Sequence, residues 1–251
     1  MKTYKNLTGL LVATLLTATT LLGQNWIRNE VTIRHNFIHL NSDSNNIYIG
    51  GGYLIAVNDT PTYGFCSWNG HSVNRYNQFI INGPVRSSIV FNDTIIIAGA
   101  FVDIGSDTLC KRISRWDKNS NLWFPMGNGF NKGVFNLRIL EGNLYSMGGF
   151  TNSGLTQLNG IAKWNGHEWT DVFNMPQFYI NSDNLIYDAC IYKNELYVGG
   201  NFHSYDQRNI NDIVKYDGQS WVSVGGGIQG EIGINRMVVY RDKLVVAGLF
   251  H

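Results

Sequence analysis

The sequence predicts an all-β fold made of about five repeats, each with four short strands. A seven-residue motif recurs around a shared glycine at spacings of 48, 49, 52 and 48 residues. Glycine is frequent (28 residues) and proline rare (4), which suits short strands joined by tight turns. Outside the N-terminal segment, no apolar period of 3.6 residues indicates a helix. The five motifs are Ile47–Tyr53, Ile95–Phe101, Leu144–Phe150, Leu196–Phe202 and Leu244–Phe250.

A second aromatic motif keeps step with the first. An aromatic residue lies 16 or 17 positions after the shared glycine, at Trp68, Trp116, Trp164 and Tyr216. A further tryptophan follows in three of these copies, at Trp123, Trp169 and Trp221. Because both motifs share one period, they indicate a single repeating unit.

The third copy illustrates the four strands expected in each unit. The first strand is the apolar run Phe135–Leu140, which a polar three-residue turn, 141–143, joins to the glycine motif Leu144–Phe150 as the second strand. The third strand is Ile161–Trp164. An Asn-Gly turn, which is a strong hairpin signal, leads into the fourth strand at Trp169.

Four-stranded units repeated at about fifty residues indicate a β-propeller, in which blades pack radially around a channel. We expect glycine in the inner strands where a side chain would obstruct neighbouring backbone. We expect the recurring tryptophans to wedge between blades, each with its indole N–H donating to a carbonyl.

The glycine doublet that closes the second strand, followed by a tryptophan in the third, resembles the kelch repeat of propellers such as the galactose oxidase central domain. The longer pattern Gly-Gly-x-Phe then Ile-x-x-Trp-Asn/Asp-Gly-x-x-Trp is similar to repeats in secreted Bacteroidetes propellers. The resemblance covers residues 24–251. It implies a propeller fold and an exported protein.

The two ends of the sequence carry separate predictions. Lys2 and Lys5 precede the apolar stretch Leu7–Leu22, which predicts a signal peptide over residues 1–23 and propeller repeats over 24–251. An uncleaved anchor is the alternative. Five second-strand motifs but only four third-strand motifs predict an array that is incomplete at its C-terminus. A five-bladed ring with one defective blade is the alternative to that.

The net charge limits the classes of partner, and the cysteine content limits the disulfides that could form. A formal net charge of +1 with 15% charged residues gives no electrostatic footprint for nucleic acid or anionic lipid. We therefore expect no nucleic-acid partner and no membrane insertion after signal cleavage. Cys66, Cys110 and Cys190 are an odd set without close pairing, so a disulfide stays open, and buried thiols are the expected state.

Motif searches indicate no catalytic residue, no metal and no cofactor. Gly225–Gly230 matches G-x-G-x-x-G, but a strand pattern follows it where a dinucleotide site needs a helix. His71 and His167 occupy the same slot in different repeats, which separates them. Asp43 and Asp183 lie in turns without a calcium-loop pattern and are expected to cap those turns. Paired carboxylates for glycoside cleavage stay open, because their geometry is invisible in sequence.

The loops between the repeated strands vary most, and we expect recognition there. The loops after the second strands and the connections after the fourth strands are expected to share one face. Phe178, Tyr179 and Tyr205 are the candidate ligand contacts on that face. We expect a secreted or cell-surface module that binds protein or carbohydrate without catalysis. The alternatives are an exported glycan-active lyase, hydrolase or oxidase, and a purely structural stalk.

Overall fold

The computed structural model of the chain describes residues 10–17, 27–34, 39–52, 56–57, 60–76, 80–105, 109–176, 185–203, 211–228 and 233–249. Every regular element in these ranges is a β-strand, which confirms the all-β class. In chain order the strands are β1 (Leu10–Thr17), β2 (Ile27–Arg34), β3 (His39–Ser42), β4 (Ile47–Gly50), β5 (Ala56–Val57), β6 (Thr60–Pro61), β7 (Phe65–Trp68), β8 (Val73–Arg75), β9 (Val85–Phe91), β10 (Thr94–Gly99), β11 (Ile113–Asp117), β12 (Leu122–Pro125), β13 (Val134–Leu140), β14 (Asn143–Gly148), β15 (Asn152–Ser153), β16 (Thr156–Gln157), β17 (Ile161–Trp164), β18 (Trp169–Thr170), β19 (Leu185–Tyr192), β20 (Glu195–His203), β21 (Asn211–Tyr216), β22 (Trp221–Ser223), β23 (Gly233–Tyr240) and β24 (Lys243–Leu249).

Four antiparallel sheets of four strands follow the predicted repeat. In chain order they are β3-β4-β7-β8, β9-β10-β11-β12, β13-β14-β17-β18 and β19-β20-β21-β22, here named units 1 to 4. β23 and β24 form a hairpin at the corresponding place in the next repeat, here named unit 5. β15 and β16 form a small hairpin of their own inside unit 3.

The turn between the first and second strands is shorter than the predicted three residues. In units 2 to 5 only two residues separate the paired strands, and both have positive φ, as in Asn92 (48°) and Asp93 (58°). This two-residue geometry matches the right-handed twist of the flanking strands. The third predicted turn residue, such as Thr94, therefore begins the second strand instead.

The shared glycine lies opposite a β-bulge in the first strand. In unit 4, Gly200 pairs with Ile186 and Gly199 pairs with Asp188, so Tyr187 is the extra residue on β19. A Cβ at Gly200 would overlap the backbone carbonyl of Leu185. The predicted crowding is confirmed, although the obstructing backbone belongs to the same hairpin. Equivalent bulges occur in units 2, 3 and 5, at Arg86, Phe135 and Asn235.

Tryptophans join consecutive units as predicted. The first strands of neighbouring units pack side by side, from β3 to β9, β13, β19 and β23. In units 2 to 4, the fourth-strand tryptophan donates its indole N–H to a carbonyl that follows the fourth strand of the preceding unit. The pairs are Trp123 with Tyr76 (3.4 Å), Trp169 with Met126 (3.1 Å) and Trp221 with Phe173 (3.1 Å).

The remaining sheet pairs β1 with β2, and β2 with the short β5-β6 hairpin. β1 lies within the segment predicted as a signal peptide, whose cleavage stays a prediction. The described part of the chain contains no apolar helix of membrane-spanning length.

The cysteines are buried thiols in three different units. Burial raises the pKa of Cys66 to about 12 and, with the nearby Asp188, that of Cys190 to about 11. Both side chains therefore stay protonated at neutral pH and act as small apolar groups in the core.

Candidate functional site

The three candidate contact residues, Phe178, Tyr179 and Tyr205, lie outside the described residues. They belong to segments 177–184 and 204–210, which adjoin β19 to β21 of unit 4. Their role in binding stays a prediction.

The two loop sets do meet at one end of the units. The connection that follows the fourth strand bonds to the loop between the second and third strands of the same unit or, in unit 4, to the first residue of the third strand. The contacts are Ile81 N to Tyr63 O (3.2 Å), Phe130 N to Lys111 O (3.2 Å), Ile228 N to Asn211 O (3.0 Å) and Asn159 Nδ2 to Met175 O (2.6 Å). We call this the loop end; the first strands begin there and the second strands finish there.

An open cavity of about 320 Å³ lies at the loop end between units 2, 3 and 4. We call it the cationic pocket. Its lining residues are Arg86, Ala100, Arg112, Asn131, Lys132, Gly133, Phe135, Gly149 and Leu185. None of these lining residues is acidic, and three of them are cationic.

Arg86 is the most constrained cation of the pocket. It is the bulge residue of β9, and its guanidinium carbon lies 4.9 Å from the ring centre of Phe135, the bulge residue of β13. Phe135 in turn packs against Tyr187, the bulge residue of β19, with 5.1 Å between ring centres. The three bulges thus stack side chains from three units. Burial lowers the pKa of Arg86, and the charge of Arg112 adds to this effect.

Arg112 approaches the pocket from the loop before β11. Its backbone adopts a positive φ of 69°, which turns the chain at that point. Its guanidinium donates to the backbone carbonyls of Ala100 and Phe101 rather than to a carboxylate. Burial lowers the pKa of Arg112 as well. Both arginines are half-buried, and no carboxylate among the described residues is bonded to either.

Comparison with known proteins assigns the chain to no family. The chain matches no protein-family model, and no curated protein gives a significant match. The kelch resemblance therefore stays a prediction, and the chemistry of the site has to be argued from its own residues.

Every unit carries a polar residue at one position of its first strand, 12 residues before the shared glycine. We call it the junction position. In units 1 to 4 the side chain at this position bonds to the following unit, and in three of them the partner is a backbone N–H. The junction residues are His39, Ser87, Asn136, Asp188 and Arg236. The backbone bonds are Ser88 N to His39 Nε2 (2.8 Å), Leu137 N to Ser87 Oγ (3.1 Å) and Met237 N to Asp188 Oδ2 (2.8 Å).

Asp188 is the fully buried centre of this network. Arg138 of unit 3 binds its carboxylate through Nε (2.8 Å) and Nη2 (2.6 Å). The Asn136 amide and the backbone N–H groups of Ala189 and Met237 also donate to it, at 2.8, 2.9 and 2.8 Å. Five donors satisfy the buried charge, so this carboxylate is a structural group with no capacity left for a ligand.

A second cavity, of about 390 Å³, is lined by first-strand residues of units 1, 2, 3 and 5. His39 of unit 1 and Arg236 of unit 5 both line it, so the first and last described units face the same space. Burial and the charge of Arg236 lower the pKa of His39 to about 4. The ring is therefore neutral at pH 7, which lets Nε2 accept from Ser88.

Several predicted roles are decided by the described residues. Asp43 caps its turn by accepting from the N–H groups of Asn45 (2.8 Å) and Asn46 (2.7 Å), as predicted. The glycines of 225–227 have positive φ in a turn before β23, which excludes a dinucleotide-binding helix there. Within the described ranges, no three His, Cys, Asp or Glu side chains cluster to hold a metal ion.

Sequence reasoning missed both the junction position and the cationic pocket. The junction position had a signal, since a polar residue recurs 12 positions before each shared glycine inside an apolar run. The pocket had none, because Arg86, Arg112 and Lys132 occupy three different positions of the repeat. Only the folded chain brings them together.

Proposed function

We propose that the chain is a kelch-like β-propeller that works as a binding module at the cell surface or in the medium. Four four-stranded units and a fifth hairpin at one period support this architecture. The side-by-side packing of consecutive first strands supports it too. So does the cavity shared by His39 of unit 1 and Arg236 of unit 5, since a propeller arranges its inner strands around a channel.

The cationic pocket is the observation that carries the functional proposal. Its lining combines a guanidinium stacked on Phe135 with the amide of Asn131, and it opens where both loop sets meet. A concave site with a few polar groups and an aromatic ring suits recognition of a polar ligand. The buried Asp188 has the opposite character, because five donors of the chain satisfy its carboxylate. We therefore assign binding of a glycan or surface protein to the loop end.

The test is a binding screen with the purified full chain. Glycan panels and cell-surface proteins are presented to the wild type, to Phe135→Ala at the pocket, and to Phe178→Ala and Tyr205→Ala in the neighbouring loops. Leu122→Ala, at an exposed position away from the loop end, is the control. We expect selective binding that Phe135→Ala weakens at least tenfold and the control leaves unchanged.

Two outcomes would contradict the proposal. Absence of binding across both panels would favour a structural stalk. Release of shortened or oxidised sugars during incubation, detected by chromatography, would favour the glycan-active enzyme. Export is checked separately, by fractionating cells and sequencing the N-terminus of the mature protein, which we expect to begin near residue 24.

A further inference from the structure

The cationic pocket contains two guanidinium groups to which no carboxylate of the described residues is bonded. Arg86 and Arg112 are both half-buried and close enough to influence each other electrostatically. Two other half-buried cations of the described chain are paired with carboxylates. Arg138 binds Asp188 at 2.6 Å, and Lys215 binds Glu195 at 2.8 Å.

Holding two guanidinium groups together in a partly desolvated site is unfavourable unless an anion joins them. The fold keeps the two groups in place, because Arg86 packs on the ring of Phe135 and Arg112 donates to backbone carbonyls. Such side chains are ordered before a ligand arrives, which lowers the entropy lost on binding. A single guanidinium can bind a planar carboxylate with two parallel hydrogen bonds, and a second one nearby adds to the positive charge.

The remainder of the lining indicates what carries the anion. Asn131 uses its Oδ1 and one Nδ2 hydrogen within the chain, which leaves the second Nδ2 hydrogen for a ligand, while Phe135 and Leu185 offer apolar surface for a ring face. The cavity of about 320 Å³ is a pit with room for a group of monosaccharide size. A hydroxylated ring with one carboxylate fits this lining better than an extended peptide, which would need a groove or a strand edge.

We propose that the cationic pocket binds the carboxylate of a uronic acid residue, so that the protein recognises acidic polysaccharides. This rests on the proposed function, and it names the class of ligand for the same site. Arg86 and Arg112 hold the carboxylate, and Asn131 Nδ2 donates to a hydroxyl group.

The experiment is calorimetric titration of the full chain with a galacturonate oligosaccharide and with the galactose oligosaccharide of equal length. Inorganic sulfate and a glutamate oligopeptide are titrated in parallel. The variants are Arg86→Gln, Arg86→Lys and, as a matched control, Arg115→Gln. Arg115 also stacks on a phenylalanine, Phe124, at 5.3 Å, but it is exposed and lies outside the pocket. Thermal unfolding of each variant verifies that it is folded.

We expect the uronate to bind at least about tenfold more tightly than the neutral sugar, the range of a charged hydrogen-bonded contact. Arg86→Gln should remove this preference, Arg86→Lys should restore it only in part, and Arg115→Gln should keep it. Affinity should fall as salt is raised.

Each contrary outcome would overturn one identified part of the proposal. Equal affinity for both sugars, lost in Arg86→Gln, would overturn the uronate inference and leave the binding module standing. Tighter binding of the glutamate peptide would indicate that the ligand is an acidic protein and not a carbohydrate. Sulfate binding as tight as the oligosaccharide would reduce the pocket to a simple anion site. Absence of binding by all four ligands would overturn the inference, and the proposed function would then depend on the wider screen.

Discussion

The backbone N–H of Met237 donates to the buried carboxylate of Asp188 at 2.8 Å, although the two residues belong to different units. Arg138 binds the same carboxylate from the opposite neighbour, so one side chain joins units 3, 4 and 5. A buried charge held by partners on both sides resists separation of the units, because either separation would leave it uncompensated.

Asp188→Ala is therefore expected to destabilise the protein strongly. The change leaves Arg138 without its counter-ion and removes acceptors from Asn136, Ala189 and Met237. We expect a loss of about 3 to 5 kcal/mol in the free energy of unfolding, measured by urea denaturation. Glu195→Ala, which breaks the more solvent-accessible pair with Lys215, is the matched control and should change much less. Similar losses in both variants would contradict the central role of Asp188.

The buried His39 is expected to make the free energy of unfolding depend on pH between about pH 6.5 and 4. Its pKa is lowered to about 4 in the fold, so the unfolded chain binds a proton first as the pH falls. The contribution of His39 to the free energy of unfolding is therefore fully present above pH 6.5. It falls by about 2 to 3 kcal/mol as the pH is lowered towards 4. Denaturation curves at several pH values measure the decline. His39→Gln should flatten it, whereas His167→Gln, at an exposed turn, should leave it intact.

Trp169→Phe tests the indole bonds between units. Trp169 is fully buried, and its N–H donates to Met126 O at 3.1 Å, so phenylalanine leaves both a cavity and a buried carbonyl without that donor. We expect about 2 to 3 kcal/mol of destabilisation by thermal or urea unfolding. Trp164→Phe is the comparison, because Trp164 is only partly buried. A larger effect at Trp164 would contradict the importance of the bond.

Gly200→Ala and Gly133→Ala are expected to act in opposite directions. A Cβ at Gly200 would overlap the carbonyl of Leu185, so the bulge must open, at a cost of about 2 kcal/mol or more. A Cβ at Gly133 would meet its nearest neighbours at 3.6 to 3.8 Å, which are ordinary contacts, and alanine there lowers the entropy of the unfolded chain. Equal unfolding midpoints for the two variants would show that the bulge adapts freely.

The repeat period predicted most of the local architecture. Strand positions, the glycine crowding and the tryptophan bonds all follow from residues that recur at fixed offsets, such as Gly148 and Trp169. The predicted turn between the first and second strands was one residue too long. Alternation of polar and apolar residues cannot distinguish a turn residue such as Thr94 from the first residue of a strand.

The site could not be predicted in this way. Arg86 lies in a strand and Arg112 at the end of a loop, so no spacing rule connects them. Their proximity depends on the bulge that turns Arg86 onto Phe135 in the next unit. Sequence variation marks loops as candidates, but these cations lie on and beside the repeated framework rather than within the most variable segments.

The junction position gives the array a fixed order. Its five side chains differ in charge and hydrogen-bonding capacity, so each seam between units is chemically distinct even though the strands around it are alike. Loss of unit 4 would leave Arg138 facing a neighbour that lacks its carboxylate, and exchange of units 2 and 4 would place Asp188 against partners suited to serine. Gene duplication of a single repeat would therefore require matching changes at both of its seams before the longer array became as stable as the present one.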